Sequence, residues 1–368
     1  MQEKMGIYIH IPFCGKKCPY CSFYSVAYSK STVDEYCLNL IKNIEAYGKK
    51  YSSKIVDTVY FGGGTPSLIG SDWLSRILSS VTSSFSTALE EVTVEVNPSS
   101  GMRLDFDLLK RYGVNRVSVG MQSVNENELK LLGRNHNADK VQKLIGKIHT
   151  AGIDNISLDL MCCIPEQTIA SLGKSIDFCN EMGVRHISSY MLKIEEGTPF
   201  FANADKLKLP DEDTESEMYL YMCDRLSRYG YMQYEISNFS KPGFESRHNL
   251  KYWNCDDYLG LGPAAHSMVD GKRFYFDNDF ADFYNDNAIF EAYGGDEEEY
   301  AMLRLRLKDG LRDDLYYSRY KKHIPDDYVQ RGKKLEKAGL VIVSDNVVSL
   351  TTRGFLLSNS VTARLLWG

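Results

Sequence analysis

The 368-residue sequence contains no apolar run of membrane-spanning length, so nothing in it reads as a transmembrane helix. Its start, MQEKMGIYIHIPF, lacks the charged, apolar and small-residue zones of a signal peptide, and the expected compartment is the cytoplasm. Excess positive charge is also missing. The formal net charge of −6 argues against a general nucleic-acid binder, and no nucleic-acid partner is expected. Nine cysteines are present without a disulfide framework: Cys37, Cys162, Cys163, Cys179, Cys223 and Cys255 are scattered, and each reads as a small buried hydrophobe in a reducing cell.

The other three, Cys14, Cys18 and Cys21 in CGKKCPYC, have a metal-site spacing that lacks a fourth ligand. Three thiolates can hold three irons of a cubane [4Fe–4S] cluster and leave one iron open to a non-protein ligand. Zinc is the competing metal, but a structural zinc site is normally closed by a fourth Cys or His at short spacing. The next histidine here is His136. A disulfide is the weakest reading, because three is odd and Lys16, Lys17 and Pro19 belong to no small secreted scaffold.

From Gly6 to about Glu195, β-branched runs alternate with amphipathic helical stretches, the pattern of βα units on a parallel sheet. Six strands are predicted: GIYIHIPF, VDTVYFGGG, EVTVEVNP, RVSVGMQS, NISLDLMC and HISSYMLKIE. Helices are predicted over Val33–Tyr47 and Ile169–Met182, the first with a Thr32/Glu35 capping box, the second stopped by Gly183. Six units predict an α/β fold, a partial (β/α)6 TIM-like barrel. A doubly wound sheet is disfavoured because GGGTPS lacks the G-x-G-x-x-G spacing. The boundaries follow: 1–200 for the barrel, 201–296 for an aromatic-rich extension packing on it, and 297–368 for a winged-helix-like α+β module. That module holds 13 basic and 10 acidic residues, a net of +3, too little for a DNA-binding reading.

Unusual residues cluster directly after strands: the cysteine loop, Gly62-Gly63-Gly64-Thr65, Glu95, Gln122 and Asp159. In βα barrels this rim is the active face. Three successive glycines exceed what one tight turn needs and suggest close approach by a ligand. Glu95 could pair with an amine, and Arg134 could hold a carboxylate bidentately. Asp159 interrupts the apolar run ISLDLMCCIP and needs a partner, such as a ribose hydroxyl pair shared with Gln122, or a structural hydrogen bond.

Taken together, YIHIPFCGKKCPYCSF, FGGGTPS, EVNP, VGMQS with LGRNH, DLMCCIPEQT, YEISNF, SRHNLKYW and YLGLGPAAHS resemble the oxygen-independent coproporphyrinogen III oxidase group of radical S-adenosylmethionine proteins over almost the full length. The resemblance is nearest to the haem-chaperone branch. It implies that Cys14, Cys18 and Cys21 bind the cluster. S-adenosylmethionine would then chelate the open iron, with Tyr8, Gly62, Gly63, Gly64, Thr65, Glu95, Gln122, Arg134 and Asp159 around it and Tyr20 inside the loop. Reduction of the cluster would cleave the sulfonium to a 5′-deoxyadenosyl radical, chemistry that belongs to the cofactors.

The oxidases carry an additional cysteine where this chain has Phe23, and a long amino-terminal extension that seven residues before Tyr8 cannot supply. The chaperone branch carries H-N-x-x-Y-W, here His248, Asn249, Tyr252 and Trp253, so the resemblance implies haem held by His248, Tyr252 and Trp253. It further implies a haem-acceptor protein of a respiratory or membrane-associated kind, an electron donor for the cluster, and a homodimer. No catalytic residue is assigned, and whether the chain is a carrier or a catalyst stays open; the alternative activity is coproporphyrinogen III decarboxylation. Met161, Cys162, Cys163, Glu166 and Ala264 depart from the branch's usual residues, glycines among them, and Cys162 and Cys163 read as packing.

Overall fold

The computed structural model describes residues 3–368; the first two residues, part of the signal-peptide reading above, lie outside the described residues. The six predicted strands form β1 (Lys4–Ile11), β2 (Ile55–Gly63), β3 (Ser86–Val96), β4 (Arg116–Gln122), β5 (Asn155–Cys162) and β6 (His186–Met191). They are paired in parallel in that order. Their period-2 patterning decides what each face does. In β4, Val117, Val119 and Met121 are fully buried in the apolar layer, while Arg116, Ser118, Gly120 and Gln122 line a central cavity. In β1, Ile7, Ile9 and Ile11 join the same apolar cluster as Tyr36, Leu40 and Ile44 of α1 (Lys30–Lys50). Full burial of each such isoleucine contributes roughly 1.5–3 kcal/mol.

The predicted helices are present, with shifted ends. The first is capped by Ser29, whose side chain accepts from the Thr32 amide, so the Thr32/Glu35 box is one turn too late. The helix Ile169–Glu181 carries a capping box made by Thr168 and Ser171 and stops before Gly183, where φ is +65°, a left-handed conformation that favours glycine.

The segment after β6, expected to pack on the barrel, also contributes strands to its sheet. It supplies β7 (Asn238–Ser240), antiparallel to β6 at one edge of the sheet. It then passes beneath the barrel as helix α2 (Arg247–Trp253) and enters β8 (Tyr258–Leu261), parallel to β1 at the other edge. Three antiparallel strands continue outward from β8: β9 (His266–Val269), β10 (Lys272–Tyr275) and β11 (Ile289–Tyr293). With the two-residue strand Met232–Gln233 on the outer side of β7, this gives among the described residues one open twelve-stranded sheet. No helix among them is long and apolar enough to cross a membrane.

The C-terminal module runs helix (Glu297–Arg304), strand (Leu311–Arg312), two helices (Asp313–Tyr320 and Asp326–Glu336), then two strands (Val341–Ser344 and Val347–Leu350) in a separate three-stranded sheet, the element order of a winged helix. Two of its arginines bond to the extension. Arg304 donates to the Asn254 side chain at 2.6 Å, and Arg319 donates to the carbonyls of Asn254 and Cys255 at 3.0 and 2.7 Å. Side chains spent on those contacts anchor the module.

Three departures from the branch's residues have a common backbone signature. Cys163, Glu166 and Ala264 all take left-handed φ, at +62°, +63° and +65°. An L-residue there costs about 1–2 kcal/mol relative to the right-handed region, so the surrounding chain enforces a glycine-like path at these points. Cys162 and Cys163 are buried with sulfurs 3.5 Å apart and lie off the cavity wall, consistent with the packing reading.

Candidate functional site

β1 delivers the chain to Phe13 and Cys14, which pair in parallel with Val26 and Ala27 and so close the cysteine loop at its base. The Cys21 amide donates to the Cys18 carbonyl at 3.2 Å, and the Cys14 sulfur lies 3.6 Å from the Thr65 hydroxyl. All three thiols are free and half-buried. They line one cavity of about 500 Å³ with Tyr20, Gly63, Gly64 and Thr65. Glu95, Gln122, Arg134 and Asp159 line it as well, so the chemical rim expected from the sequence is assembled at the carboxyl ends of the strands.

The glycines have a reason that ligand approach does not cover. A Cβ on Gly63, where φ is +105°, would stand 2.5 Å from the His10 ring, and one on Gly64 would stand 2.8 Å from the Phe13 carbonyl. Gly62 would crowd Tyr60, Tyr8 and Glu95 at 3.0–3.1 Å. The run is therefore dictated by packing against the end of β1, which leaves the Gly63 and Gly64 backbone as cavity wall. Tyr8 and Gly62 do not line it. The Tyr8 hydroxyl is held by the His10 Nδ1 at 3.0 Å, and its ring stacks on Tyr60.

The interior carries more charge than the rim alone suggested. Burial, then the proximity of Asp159, pushes the Glu95 carboxyl up from 4.5 to about 7, against the hydroxyl that Tyr60 donates at 2.8 Å. Burial pushes Asp159 up to about 6, although Ser118 donates to it at 2.9 Å. Arg134 donates to the Tyr20 hydroxyl at 2.5 Å while its Nε has no partner. Arg116, 1% exposed, reaches Thr93 at 3.5 Å and also leaves Nε unpaired. Arg116, Ser118, Ser188, Tyr190 and Asn249 extend the cavity below the predicted set. Sequence reasoning missed them, although for Arg116 and Ser118 the alternation R-V-S-V-G-M-Q was the available signal.

A carboxyl whose folded pKa lies above its unfolded one binds more protons when folded. Its stabilising contribution is present below the unfolded value and is lost as pH rises through the folded one. The apo protein should therefore lose roughly 3 kcal/mol through Glu95 alone between about pH 4.5 and 7. Urea midpoints measured across that window check this, and Glu95→Gln should flatten the profile. A wild-type midpoint that rises toward pH 7 would contradict it.

His248, Tyr252 and Trp253 are not brought to the cavity. His248 is 1% exposed; its Nδ1 lies 2.9 Å from the Thr58 hydroxyl and its Nε2 2.8 Å from that of Tyr252. Its ring stacks on Tyr60 at 5.2 Å, and burial drives its pKa down to about 3. Both ring nitrogens are engaged by hydroxyls, and this part of the motif packs at the amino-terminal end of the barrel, away from the cysteine loop. The Trp253 indole N–H is buried without a partner. Only Asn249 of the motif reaches the cavity.

The family model of the radical SAM superfamily matches residues 8–179, and that of the HemN C-terminal domain matches residues 298–357. The chain is 32% identical to the heme chaperone HemW of Lactococcus lactis subsp. lactis (strain IL1403), over 100% of this chain and 98% of that protein. It is 33% identical to HemW of Bacillus subtilis (strain 168), over 98% of each. HemW of Escherichia coli (strain K12) is 35% identical over 73% of this chain and 72% of its own length. The solved structure of the Escherichia coli coproporphyrinogen III oxidase HemN superposes with a TM-score of 0.84 at 20% identity, covering 100% of this chain and 90% of that one. At that identity the likeness speaks to the fold, a partial barrel of the radical SAM kind.

Proposed function

Because the chain belongs to the HemW family of radical S-adenosylmethionine proteins, we propose that it is a haem chaperone that takes up haem and delivers it to an acceptor protein. The observation that carries its cofactor side is the convergence of three free thiols, two unpaired arginine nitrogens and two half-buried carboxyls on one cavity. That donor set fits a [4Fe–4S] cluster with S-adenosylmethionine. Cys14, Cys18 and Cys21 would hold the cluster. Arg134, with Nε free, would take the carboxylate of S-adenosylmethionine, and Glu95 its amine. Asp159 and Gln122 would take its ribose. When bound and reduced, the pair supplies one-electron cleavage at the sulfonium.

What the chain itself contributes is placement and proton control. Glu95 sits near 7, so it can give up its proton as an ammonium arrives. Tyr20 bridges the cysteine loop to Arg134, so the loop and the carboxylate site are ordered together. Phe23, 67% exposed at the cavity mouth, occupies the place of the oxidases' additional cysteine. That supports a carrier over a decarboxylase.

The test is anaerobic reconstitution, followed on one sample by haem titration at the Soret band and incubation with coproporphyrinogen III. Saturable haem uptake with unchanged coproporphyrinogen is expected. Decarboxylated product with no haem uptake would overturn the proposal.

A further inference from the structure

The twelve-stranded sheet has two margins. One ends in the strand Met232–Gln233, only two residues long. The other ends in β11, whose five residues are all exposed and whose outer side pairs with no strand among the described residues. A free edge presents a row of unpaired amides and carbonyls, and proteins ordinarily blunt it with proline, lysine or a very short strand. The sequence of β11, IFEAY, has neither proline nor lysine. Its guard is a bulge: Phe290 faces Phe274 and Ala292 faces Arg273, which leaves Glu291 with no residue opposite it in β10.

The bulge sorts the side chains between two faces. Ile289 lies beside Tyr275 on the face of His266, whose Nδ1 is 3.6 Å from the Glu291 carboxylate. Phe290 and Tyr293 share the other face with Phe274, their ring centroids 5.3 Å apart. They are 56% and 77% exposed, an aromatic pair that nothing in the fold covers. Charge decides what suits them. From Phe274 to Leu303 the chain has nine acidic residues and no lysine or arginine. Asp286 and Asp296 flank β11, both exposed, and Glu291 is on it. Among the described residues, lysine or arginine pairs with two of the nine, Lys322 with Glu297 and Arg273 with Glu299. Lys272, opposite Tyr293 on β10, is the exposed basic residue of the neighbouring strand.

A second copy of the chain is a poor occupant of this edge. Two-fold antiparallel pairing of β11 with itself about Glu291 sets Glu291 against Glu291 and Asp286 against Asp296, and like charges directly opposite are destabilising. An anionic lipid surface meets the same repulsion. We propose that β11 is a docking edge for an extended basic segment of another protein, which joins the sheet as a further strand. Its lysines or arginines would meet Asp286, Glu291 and Asp296, and its apolar side chains would cover Phe290 and Tyr293. In strand addition of this kind, main-chain hydrogen bonds give the affinity and alternate side chains the selectivity. The inference goes beyond the haem-chaperone reading and does not rest on it.

The probe is a fluorescein-labelled peptide of alternating lysine and valine, titrated by anisotropy into the full-length chain beside a counterpart N-methylated at alternate amides, which keeps the charge and loses the strand donors. The first should bind saturably, and the second about tenfold or more weakly. Glu291→Lys should weaken the first peptide about fivefold. Glu181→Lys, an exposed charge reversal on the helix between β5 and β6, should leave it unchanged. All of these positions are exposed, so circular dichroism should be the same throughout. Hydrogen exchange of the complex should show new protection at β11. Equal binding of the N-methylated peptide, protection confined to another part of the chain, or no saturable binding would overturn the proposal. So would a wild-type chain that sediments as a dimer and becomes a monomer on Phe290→Asp, which would put a second copy on the edge.

Discussion

A Cys18→Ala chain treated with iron and sulfide should hold almost no cluster, yet melt within about 2 °C of the wild-type apo protein. The two halves of this expectation have different causes. In the proposed arrangement three thiolates are the whole protein ligand set for the cubane, and with one removed the remaining two would not hold it against hydrolysis. The cysteine loop, by contrast, is built on backbone pairing at Phe13–Cys14 and Val26–Ala27 and on the Tyr28 amide bonded to the Cys14 carbonyl at 3.1 Å, none of which needs the Cys18 sulfur. Iron content and the charge-transfer absorption near 400 nm read the first half, and a melting curve reads the second. Cys162→Ala should leave the iron unchanged. Retention of a full cluster by Cys18→Ala would require a ligand from elsewhere and would sink the three-thiolate assignment.

Glu91→Ala is expected to cost about 3–5 kcal/mol although Glu91 touches no cofactor site. Its carboxylate, 3% exposed, accepts from the Arg247 amide at 2.9 Å, the His248 amide at 3.1 Å and the Ser246 hydroxyl at 3.3 Å. It thus satisfies the otherwise orphaned first turn of α2. Burial works against the Arg116 charge, and Glu91 is the largest of the groups that outweigh it. Alanine would leave three donors, two of them on the buried residues Ser246 and His248, without their acceptor and remove the largest attraction on the buried Arg116 cation. The urea midpoint should drop sharply, with Glu91→Gln intermediate, since it keeps an acceptor and loses the charge. A Glu91→Ala protein within about 1 kcal/mol of the wild type would show that α2 is held by something else.

Much of this molecule was legible in its residues because the signals were local. The six parallel strands follow from short β-branched runs between helical stretches, and the cysteine spacing announces its own chemistry. Asp159 was noticed for the wrong contrast: it seemed to interrupt a core strand, whereas it is the inward member of an alternating strand in a polar-lined barrel, as are Glu95, Ser118 and Ser188. Arg116 was missed for the same reason. What stayed hidden was non-local. Nothing in Tyr231 to Ser267 announces that its two short strands pair with opposite edges of a sheet formed more than 40 residues earlier. The position of His248 follows from that crossing, not from the motif around it.

The stretch from β7 to β8 has a mechanical meaning. It leaves one margin of the parallel sheet, crosses under it with His248 bonded to Thr58 and with Lys251 paired to Asp57 at 2.8 Å, and rejoins at the other margin. A belt fastened at both margins and buckled in the middle fixes the girth of the barrel at its base and leaves the mouth to the cysteine loop's own ties to Arg134 and Phe200. Any widening that admits or expels a ligand must then come from the cysteine-loop end, as a splaying of the upper strands about a fixed waist. In hydrogen exchange, the amides of β1 and β2 near Gly6 and Thr58 should be the last in those strands to open.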